Sequence, residues 1–269
     1  MPGPSPHRRE QGRAVATGLA ALRYAPVSVT IEQVRSRAEQ GITRPFLCLG
    51  DDGNWYYVKG RGIGLRSLLC EWIAGRLAQA FGLPVAAFEQ VAVPPDLIQT
   101  ALRSDLTDLG AGLAFGSRKH EFAQELSVSH IHRVDASLRQ DVLVFDWWVH
   151  NQDRTLTERG GNPNLLWDQA DGRLVVIDHN QAFDPDFDPK AFLAEHVFSD
   201  HVAGVFDDLA NRARYCERME RALTAFDVAC GEVPAEWWWV DHGVPADFDR
   251  QRVRALLERF GTDGFWRTE

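Results

Sequence analysis

Lysine is nearly missing from this 269-residue sequence: only Lys59, Lys119 and Lys190 stand among its 29 basic residues. Arginine carries the remaining positive charge, so each lysine is a conspicuous choice of a compact ammonium group. No basic run or basic amphipathic stretch occurs, and the formal net charge is −9 with a pI near 5.5. This balance argues against direct nucleic-acid binding, which needs a positive surface for the phosphates.

Cysteine is also scarce, and the four cysteines form no CxxC pair. Each lies in an apolar context typical of a small core residue, which favours a reducing compartment and predicts a cytoplasmic protein. Nine histidines are present without HExxH or Cys/His spacing, which argues against a zinc site. The cysteines are Cys48, Cys70, Cys216 and Cys230.

Long apolar runs are absent too. No stretch reaches the roughly 18 to 20 apolar residues that a bilayer span needs, so no membrane association is expected. The N-terminal MPGPSPHRREQGR has no apolar segment after it, because Arg23 interrupts the candidate run. Residues 1–14 are predicted to form a disordered tail.

At 45% hydrophobic residues, the chain can bury a substantial core, either as one large domain or as two lobes with a cleft. In residues 15–118 the pattern predicts mainly strands, including a hairpin in which RPFLCLG and NWYYVKG flank Asp51-Asp52-Gly53. One helix is predicted over Leu65 to Phe81, stopped by Gly82. A further strand is predicted over Pro84 to Val93.

Residues 119–269 are predicted to be mainly helical. Apolar residues recur every three to four positions in Asp135 to Val149, in Asp207 to Cys230 and in Asp247 to Phe260. A short strand is predicted over Leu174 to Ile177. The fold class is therefore α+β, with a sheet-bearing N-terminal lobe and a helical C-terminal lobe.

Three polar residues follow one another in an order that suits magnesium-dependent phosphoryl transfer. This reaction needs a carboxylate to orient the attacking hydroxyl, oxygen ligands for Mg²⁺ and cations on the phosphates. Asp153, in a polar loop after a helix, suits the first role. Asn164 and Asp178 offer oxygen donors for the metal. A lone Asp at a strand end is usually a turn or cap residue, so the prediction depends on the three together.

Lys59 and Glu71 supply the corresponding groups in the first half of the chain. Lys59 ends a predicted strand, from which its ammonium can reach nucleotide phosphates, and Glu71 lies on the following helix where it can pair with Lys59. Taken alone, a lysine at a strand end is more often a solvated surface residue. Its rarity in this chain favours a functional role.

The sequence resembles the HipA-like kinases, a bacterial branch of the protein-kinase-like superfamily, and its loop is also similar to that of the phosphatidylinositol 4-kinases. The resemblance rests on the motifs VKG, HNQDR, NPNLLW and VVIDHNQAF and on the helix with Glu71, between about residues 40 and 185. It implies that Asp153 is the catalytic aspartate, that Asn164 and Asp178 bind the metal, and that Lys59 and Glu71 form the ATP-positioning pair.

The resemblance implies ATP and Mg²⁺ as cofactors and Ser or Thr of a protein, or of the chain itself, as acceptor. A small-molecule alcohol stays open as an acceptor. A toxin–antitoxin role, with an antitoxin or other regulatory protein as partner, is conceivable on the same basis but is not established by fold analogy.

Two departures from the protein-kinase pattern leave alternatives open. Protein kinases place the asparagine five residues after the catalytic aspartate, whereas Asn164 follows Asp153 by eleven, so the segment TLTERGG must loop out. Asn162 is an alternative metal ligand, although the two leucines after Asn164 favour the latter. The second departure is that no G-x-G-x-x-G precedes Lys59. The longer loop and the missing glycine motif together support an alternative hypothesis, a pseudokinase-type binding module without catalysis.

Glycines near Lys59 give two candidates for a phosphate-covering loop. Gly60, Gly62 and Gly64 follow the lysine, which is the wrong side for such a loop. The segment before the RPFLCLG strand is better placed, and an ordinary turn is an equally good interpretation of it. Its candidate phosphate-binding residues are Gly41, Thr43 and Arg44.

Overall fold

The computed structural model describes residues 29–39, 43–99, 103–157 and 160–268. The predicted N-terminal tail and Gly41 lie outside these residues. The predicted boundary between residues 118 and 119 stays a prediction.

A closed five-stranded barrel forms the first part of the fold. Its strands are paired in the order β1-β2-β3-β5-β4, and β1 closes the barrel against β4. The β1–β4 pair is parallel and all other pairs are antiparallel, so the antiparallel sheet predicted from the sequence is in fact mixed. The strands are β1 (Val29–Arg37), β2 (Phe46–Gly50), β3 (Trp55–Lys59), β4 (Phe88–Val93) and β5 (Gly112–Arg118).

The predicted hairpin joins β2 to β3. Phe46 pairs with Val58 and Leu49 pairs with Trp55. Gly53 has φ +77°, a conformation that favours glycine, and Oδ1 of Asp52 accepts a hydrogen bond from the backbone N–H of Asn54 at 3.0 Å. The turn thereby fixes the register of β3, which ends on Lys59.

The described residues also form nine α-helices. The long helices α1, α4 and α7 contribute most of the helical core, and α2 and α3 are short additions to the single helix predicted for the first part of the chain. The helices are α1 (Leu65–Phe81), α2 (Pro95–Gln99), α3 (Leu106–Leu109), α4 (Ala136–Val149), α5 (Pro189–Glu195), α6 (Val202–Phe206), α7 (Leu209–Leu223), α8 (Ala225–Glu232) and α9 (Arg250–Glu258).

Helix α1 has the predicted bounds and lies at the centre of the structure. It is buried along nearly its whole length because it packs between β5 of the barrel on one side and α7 and α8 on the other. It ends where Gly82 adopts φ +93° and donates from its backbone N–H to the carbonyl oxygen of Ala78. Because α1 is buried, the side chain of Glu71 on this helix is held inside the core, next to the barrel.

Within the described residues, seven short strands lie outside the barrel. β10, β9 and β6 form a three-stranded sheet in that order, while β7 pairs with β8 and β11 pairs with β12 as separate hairpins. These strands are β6 (Ala123–Glu125), β7 (Thr155–Thr157), β8 (Gly160–Asn162), β9 (Leu165–Asp168), β10 (Arg173–Val176), β11 (Trp239–Asp241) and β12 (Val244–Pro245).

The helical prediction for the second part of the chain needs one correction. The single helix predicted from Asp207 to Cys230 is two helices, α7 and α8, separated at Thr224. The Thr224 hydroxyl donates a hydrogen bond to the carbonyl oxygen of Arg221 at 2.6 Å, which competes with the regular helical ladder. Apolar periodicity continues through such a break, so the sequence pattern did not reveal it.

Short 3-10 helices connect several elements. They span Arg61–Ile63, Val128–Arg133, Ser199–His201, Ala235–Trp237, Arg259–Gly261 and Asp263–Trp266. In the part of the chain that the structure describes, every helix is too short or too polar to span a bilayer.

Candidate active site

A cavity of about 890 Å³ lies between the barrel and the segments around β9 and β10. It is within the size range of pockets that bind small ligands and cofactors. The barrel contributes residues from β3 and β5, α1 contributes Glu71, and the loops around residues 153–164 and 176–181 form the opposite wall. The cavity lining includes Lys59, Glu71, Asp153, Asn162, Asn164 and Asp178.

Lys59, Glu71 and Asp178 form a buried ion cluster at one end of this cavity. The ammonium of Lys59 contacts Oε1 of Glu71 and lies 2.9 Å from Oδ1 of Asp178. The Lys59 and Glu71 side chains are only 8% and 1% exposed, so solvent weakens their interaction little. The sequence-based pairing of Lys59 with Glu71 is thus present, and Asp178 joins it.

The cluster contains one ammonium and two carboxylates. Burial disfavours a charge on Lys59, but the adjacent Asp178 and Glu71 carboxylates outweigh it and raise the pKa of the lysine. Burial also disfavours a charge on Asp178, but the Lys59 ammonium outweighs it and lowers the pKa of the carboxyl. Burial raises the pKa of Glu71 to about 7. The charges of Lys59 and Asp178 balance, so ionisation of Glu71 gives the cluster its negative charge and makes it complementary to an additional cation.

Asp178 lies two residues after the end of β10, and hydrogen bonds of the backbone on both sides of it fix its position. Its φ is +58°, a conformation that aspartate and asparagine tolerate better than most residues. The next residue, His179, donates its backbone N–H to Oε2 of Glu71 at 2.8 Å. The backbone N–H of Val176 donates to the carbonyl oxygen of Pro84 at 2.8 Å. These bonds connect β10 both to α1 and to the segment that leads into β4.

Asp153 lies on the opposite wall, where two asparagines bind the same carboxylate oxygen. Nδ2 of Asn162 and Nδ2 of Asn164 donate to Oδ2 of Asp153 at 2.9 and 3.0 Å. Burial raises the pKa of Asp153, and these two donors act in the opposite direction because they stabilise the charged form. Donation through Nδ2 leaves the amide oxygen of each asparagine for another partner.

The extra residues between Asp153 and Asn164 form the β7–β8 hairpin. Thr155 pairs with Asn162 at its base, so the two ends of the insertion lie side by side. The added length therefore leaves the chain next to its starting point, and Asn164 still reaches Asp153 despite the spacing of eleven. The sequence-based expectation that TLTERGG loops out agrees with this geometry.

A buried arginine that sequence reasoning missed connects these segments. Nε of Arg154 donates to Oδ2 of Asp146 at 2.7 Å, and Nη1 donates to the carbonyl oxygens of Asn164 and Ile177. Asp146 also accepts hydrogen bonds from Asn151 and, at 3.0 Å, from His196 if Nε2 carries the proton. The available signal was an aspartate inside the apolar stretch FDWWV of α4.

Of the residues predicted to bind phosphates in the segment before β2, Thr43 and Arg44 lie within the described residues and Gly41 lies outside them. Thr43 lines the cavity, whereas Nε of Arg44 donates to the carbonyl oxygen of Ala38 at 3.3 Å. Gly60 and Gly62 serve close packing instead, because a Cβ at either position would lie 1.8 or 2.4 Å from the backbone oxygens of Leu109 or Asp108.

The remaining cavity wall is lined by apolar side chains. Its apolar lining surrounds the space beside the ion cluster and is contributed by β4, β5, β9 and β10 or their flanking residues. Such a surface suits the ring of a nucleotide base, while the charged end suits its phosphates. The apolar residues include Val85, Ala86, Phe88, Phe115, Leu166 and Val176.

The donors at the charged end also fit magnesium. Among the described residues, no group of three His, Cys, Asp or Glu side chains could hold a metal ion by itself. Mg²⁺, however, usually takes one or two protein carboxylates and completes its shell with water and substrate phosphates. The Asp178 carboxylate and the Asn164 amide oxygen fit that requirement.

Comparisons with known proteins bear on the family and on the fold. The profile of the HipA-like kinases matches residues 31–269. The fold is similar to the crystal structure of a Helicobacter pylori proinflammatory kinase, CtkA, with a TM-score of 0.51 and 10% sequence identity. The match covers 88% of this chain and 93% of that chain, and at this identity it bears on the fold alone. No curated protein matches the sequence significantly.

Proposed function

Because this chain belongs to the HipA-like kinase family, we propose that it is an active phosphotransferase that moves the γ-phosphate of ATP to a hydroxyl group. The observation that supports this most strongly is the convergence of five predicted side chains on one cavity. Two of them, Lys59 and Glu71, come from the barrel side, and the other three come from the segments that follow α4 and β10. A protein scaffold has no chemical need to keep these groups together.

Asp153 has the role of orienting the acceptor hydroxyl. Its Oδ2 atom is occupied by the two asparagine amides, so Oδ1 is left for the hydroxyl hydrogen. Phosphoryl transfer gains most from positioning and charge stabilisation, and the carboxylate needs to be fixed more than it needs to be strongly basic. The raised pKa of Asp153 also suits a residue that accepts a proton late in the reaction.

Lys59 binds the phosphates of the nucleotide, and Glu71 holds its ammonium in place. The Glu71 carboxylate is itself held by the backbone N–H of His179, so the position of the lysine depends on α1 and on the segment after β10. Asp178 and Asn164 would hold Mg²⁺, which when bound neutralises developing charge on the phosphates. Thr43 is proposed to contact the nucleotide, because it lines the same cavity.

The acceptor proposed here is a serine or threonine of a protein or of the chain itself. The support is membership in the HipA-like kinase family. An antitoxin or other regulatory protein is proposed as a partner on the same basis. A small-molecule alcohol is the other acceptor class, and both are covered by one experiment: incubation with Mg²⁺, ATP and cell lysate, followed by mass spectrometry of proteins and metabolites.

Nucleotide-dependent thermal stability tests whether the protein binds ATP together with Mg²⁺, as the proposed kinase must. The proposed kinase is stabilised by a non-hydrolysable ATP analogue, and more strongly with Mg²⁺ than without it, because bound ligand stabilises the folded state by mass action. Asp178→Asn removes the Mg²⁺-dependent part of the shift and keeps the metal-independent part. No shift with any nucleotide would contradict the proposal and favour a pseudokinase-type module.

A further inference from the structure

Two asparagine side chains donate hydrogen bonds to the same carboxylate oxygen in this site. Asn162 and Asn164 both donate to Oδ2 of Asp153, at 2.9 and 3.0 Å. The protein-kinase pattern supplies a single asparagine, five residues after the aspartate. In this chain the second amide comes from the end of the β7–β8 hairpin.

Asn162 owes its position to the inserted hairpin. It is the last residue of β8, where it pairs with Thr155, and its backbone N–H donates to the Thr155 hydroxyl at 3.4 Å. Pro163 follows and restricts the backbone at this point. The pairing at the end of β8 thereby holds the side chain of Asn162 within hydrogen-bonding distance of Asp153.

The two asparagines differ in what their backbones bind. The carbonyl oxygen of Asn164 accepts hydrogen bonds from the backbone N–H of Ile177, at 3.2 Å, and from Arg154, which ties Asn164 to the residue before Asp178. Asn162 contacts the hairpin and Asp153 instead. Asn164 is thus the asparagine placed beside the other predicted metal ligand.

We infer that Asn162, held at the base of the β7–β8 hairpin, is a positioning residue that fixes the orientation of the Asp153 carboxylate for the acceptor hydroxyl. The inference rests on the proposed phosphotransferase function. The inserted hairpin then contributes directly to the site, because it adds a second donor to Oδ2 and leaves Oδ1 for the acceptor. No hydrogen bond reaches Oδ1 of Asp153 from any residue that the structure describes.

A kinetic experiment distinguishes this role from metal binding. Asn162→Ala is expected to lower kcat about tenfold, the usual effect of losing one hydrogen bond to a charged group. The KM for ATP and the Mg²⁺ concentration for half-maximal rate stay unchanged, and the acidic limb of the pH–rate profile moves to higher pH. Asn164→Ala instead raises the Mg²⁺ requirement. Asn211→Ala is the matched control, since its amide also donates to an aspartate, Asp208, away from the cavity.

A second measurement does not depend on turnover. The carboxyl carbon of Asp153 can be titrated by ¹³C NMR in protein labelled at aspartate, with Asp153→Asn used to assign the signal. The midpoint should rise in Asn162→Ala because the charged form loses a donor, and this holds even if the wild-type protein transfers no phosphate. Asn162→Ser, which is also too short to reach Asp153, should behave alike and provides a second folded variant.

Two results would overturn the inference. One is a titration midpoint of Asp153 that is the same in wild type and in both Asn162 variants. The other is an increased Mg²⁺ requirement in Asn162→Ala, which would make Asn162 a metal ligand. Absence of phosphate transfer by the wild type, with a normal midpoint shift, would contradict the proposed function and keep the positioning role.

Discussion

Nε of Arg154 donates a hydrogen bond to Oδ2 of Asp146 across 2.7 Å, and neither side chain is exposed to solvent. The same guanidinium binds the carbonyl oxygens of Asn164 and Ile177. Arg154, the residue after Asp153, is therefore linked to the peptide groups of Asn164 and Ile177, so the loops around residues 153–164 and 176–181 are held together.

Loss of Asp146 should be strongly destabilising. Asp146→Ala leaves the Arg154 guanidinium buried without its counter-ion, and removing one partner of a buried pair typically costs about 3–5 kcal/mol of the free energy of unfolding. Urea denaturation of the purified variant measures this loss. Asp227→Ala is the control, because the Asp227–Arg254 pair is exposed and should contribute far less. Equal effects of the two substitutions would contradict the structural role of Asp146.

Lys59→Met should abolish most activity. The substitution removes the one ammonium that contacts both Glu71 and Asp178, and loss of a charge-stabilising donor typically costs about 100-fold or more in rate. The two carboxylates then face each other in a buried site, so the variant should also be less stable. Lys190→Met, at an exposed position, is the matched control and should leave rate and melting temperature unchanged. A Lys59→Met protein of wild-type rate would contradict the assigned role.

The stability of the protein should depend on pH through His179. Burial lowers its pKa to about 3, so the folded state keeps the ring neutral where an unfolded chain takes up a proton near pH 6.5. The contribution of His179 to stability is therefore complete above pH 6.5 and is lost as the pH falls towards 3, by about 1.4 kcal/mol per pH unit. Glu71 acts in the opposite direction between about pH 7 and 4.5, because its raised pKa lets the folded state hold a proton that the unfolded chain releases.

His179→Leu removes the histidine contribution while Glu71 stays. Urea denaturation at pH 7 and pH 5 should show that the variant loses less stability, or gains more, on acidification than the wild type does. Parallel behaviour of the two proteins would mean that His179 is not held neutral in the folded state.

Gly60→Ala should destabilise the fold because the new Cβ would lie 1.8 Å from the carbonyl oxygen of Leu109, where the backbone must shift. A cost of about 1–3 kcal/mol is typical of such overpacking, and the shift would also displace the neighbouring Lys59. Gly231→Ala is the control, and its effect on the free energy of unfolding should have the opposite sign. It lies in α8 with open space around its Cα, so alanine should stabilise the helix slightly. Thermal unfolding of both variants measures the difference.

Local patterns account for what the sequence predicted well. Helix α1 was placed correctly because its apolar spacing ends at Gly82, and the β2–β3 hairpin was placed by Asp51-Asp52-Gly53. Both signals lie within a few residues of the element they define. The grouping of Asp153, Asn164 and Asp178 in one cavity followed from their order after a helix, a loop and a strand.

Long-range contacts account for what the sequence did not reveal. The parallel pairing of β1 with β4 joins Val29 to Val91, and no local pattern specifies it. The contact between Arg154 and Asp146 depends on the loop turning back onto α4, and the second amide on Asp153 depends on the register of the β7–β8 hairpin. Such features become visible only when distant segments are brought together.

The central claim is that this cavity transfers phosphate with Asp153 as the essential carboxylate, and ADP formation tests it most directly. Purified wild-type protein is incubated with ATP and Mg²⁺ in the presence of lysate protein, and Asp153→Asn of equal thermal stability is run beside it. The account predicts Mg²⁺-dependent ADP formation, coupled to phosphate on a hydroxyl, that falls at least about 100-fold in the variant. Equal rates in the two proteins, or no ADP from the folded wild type, would contradict it.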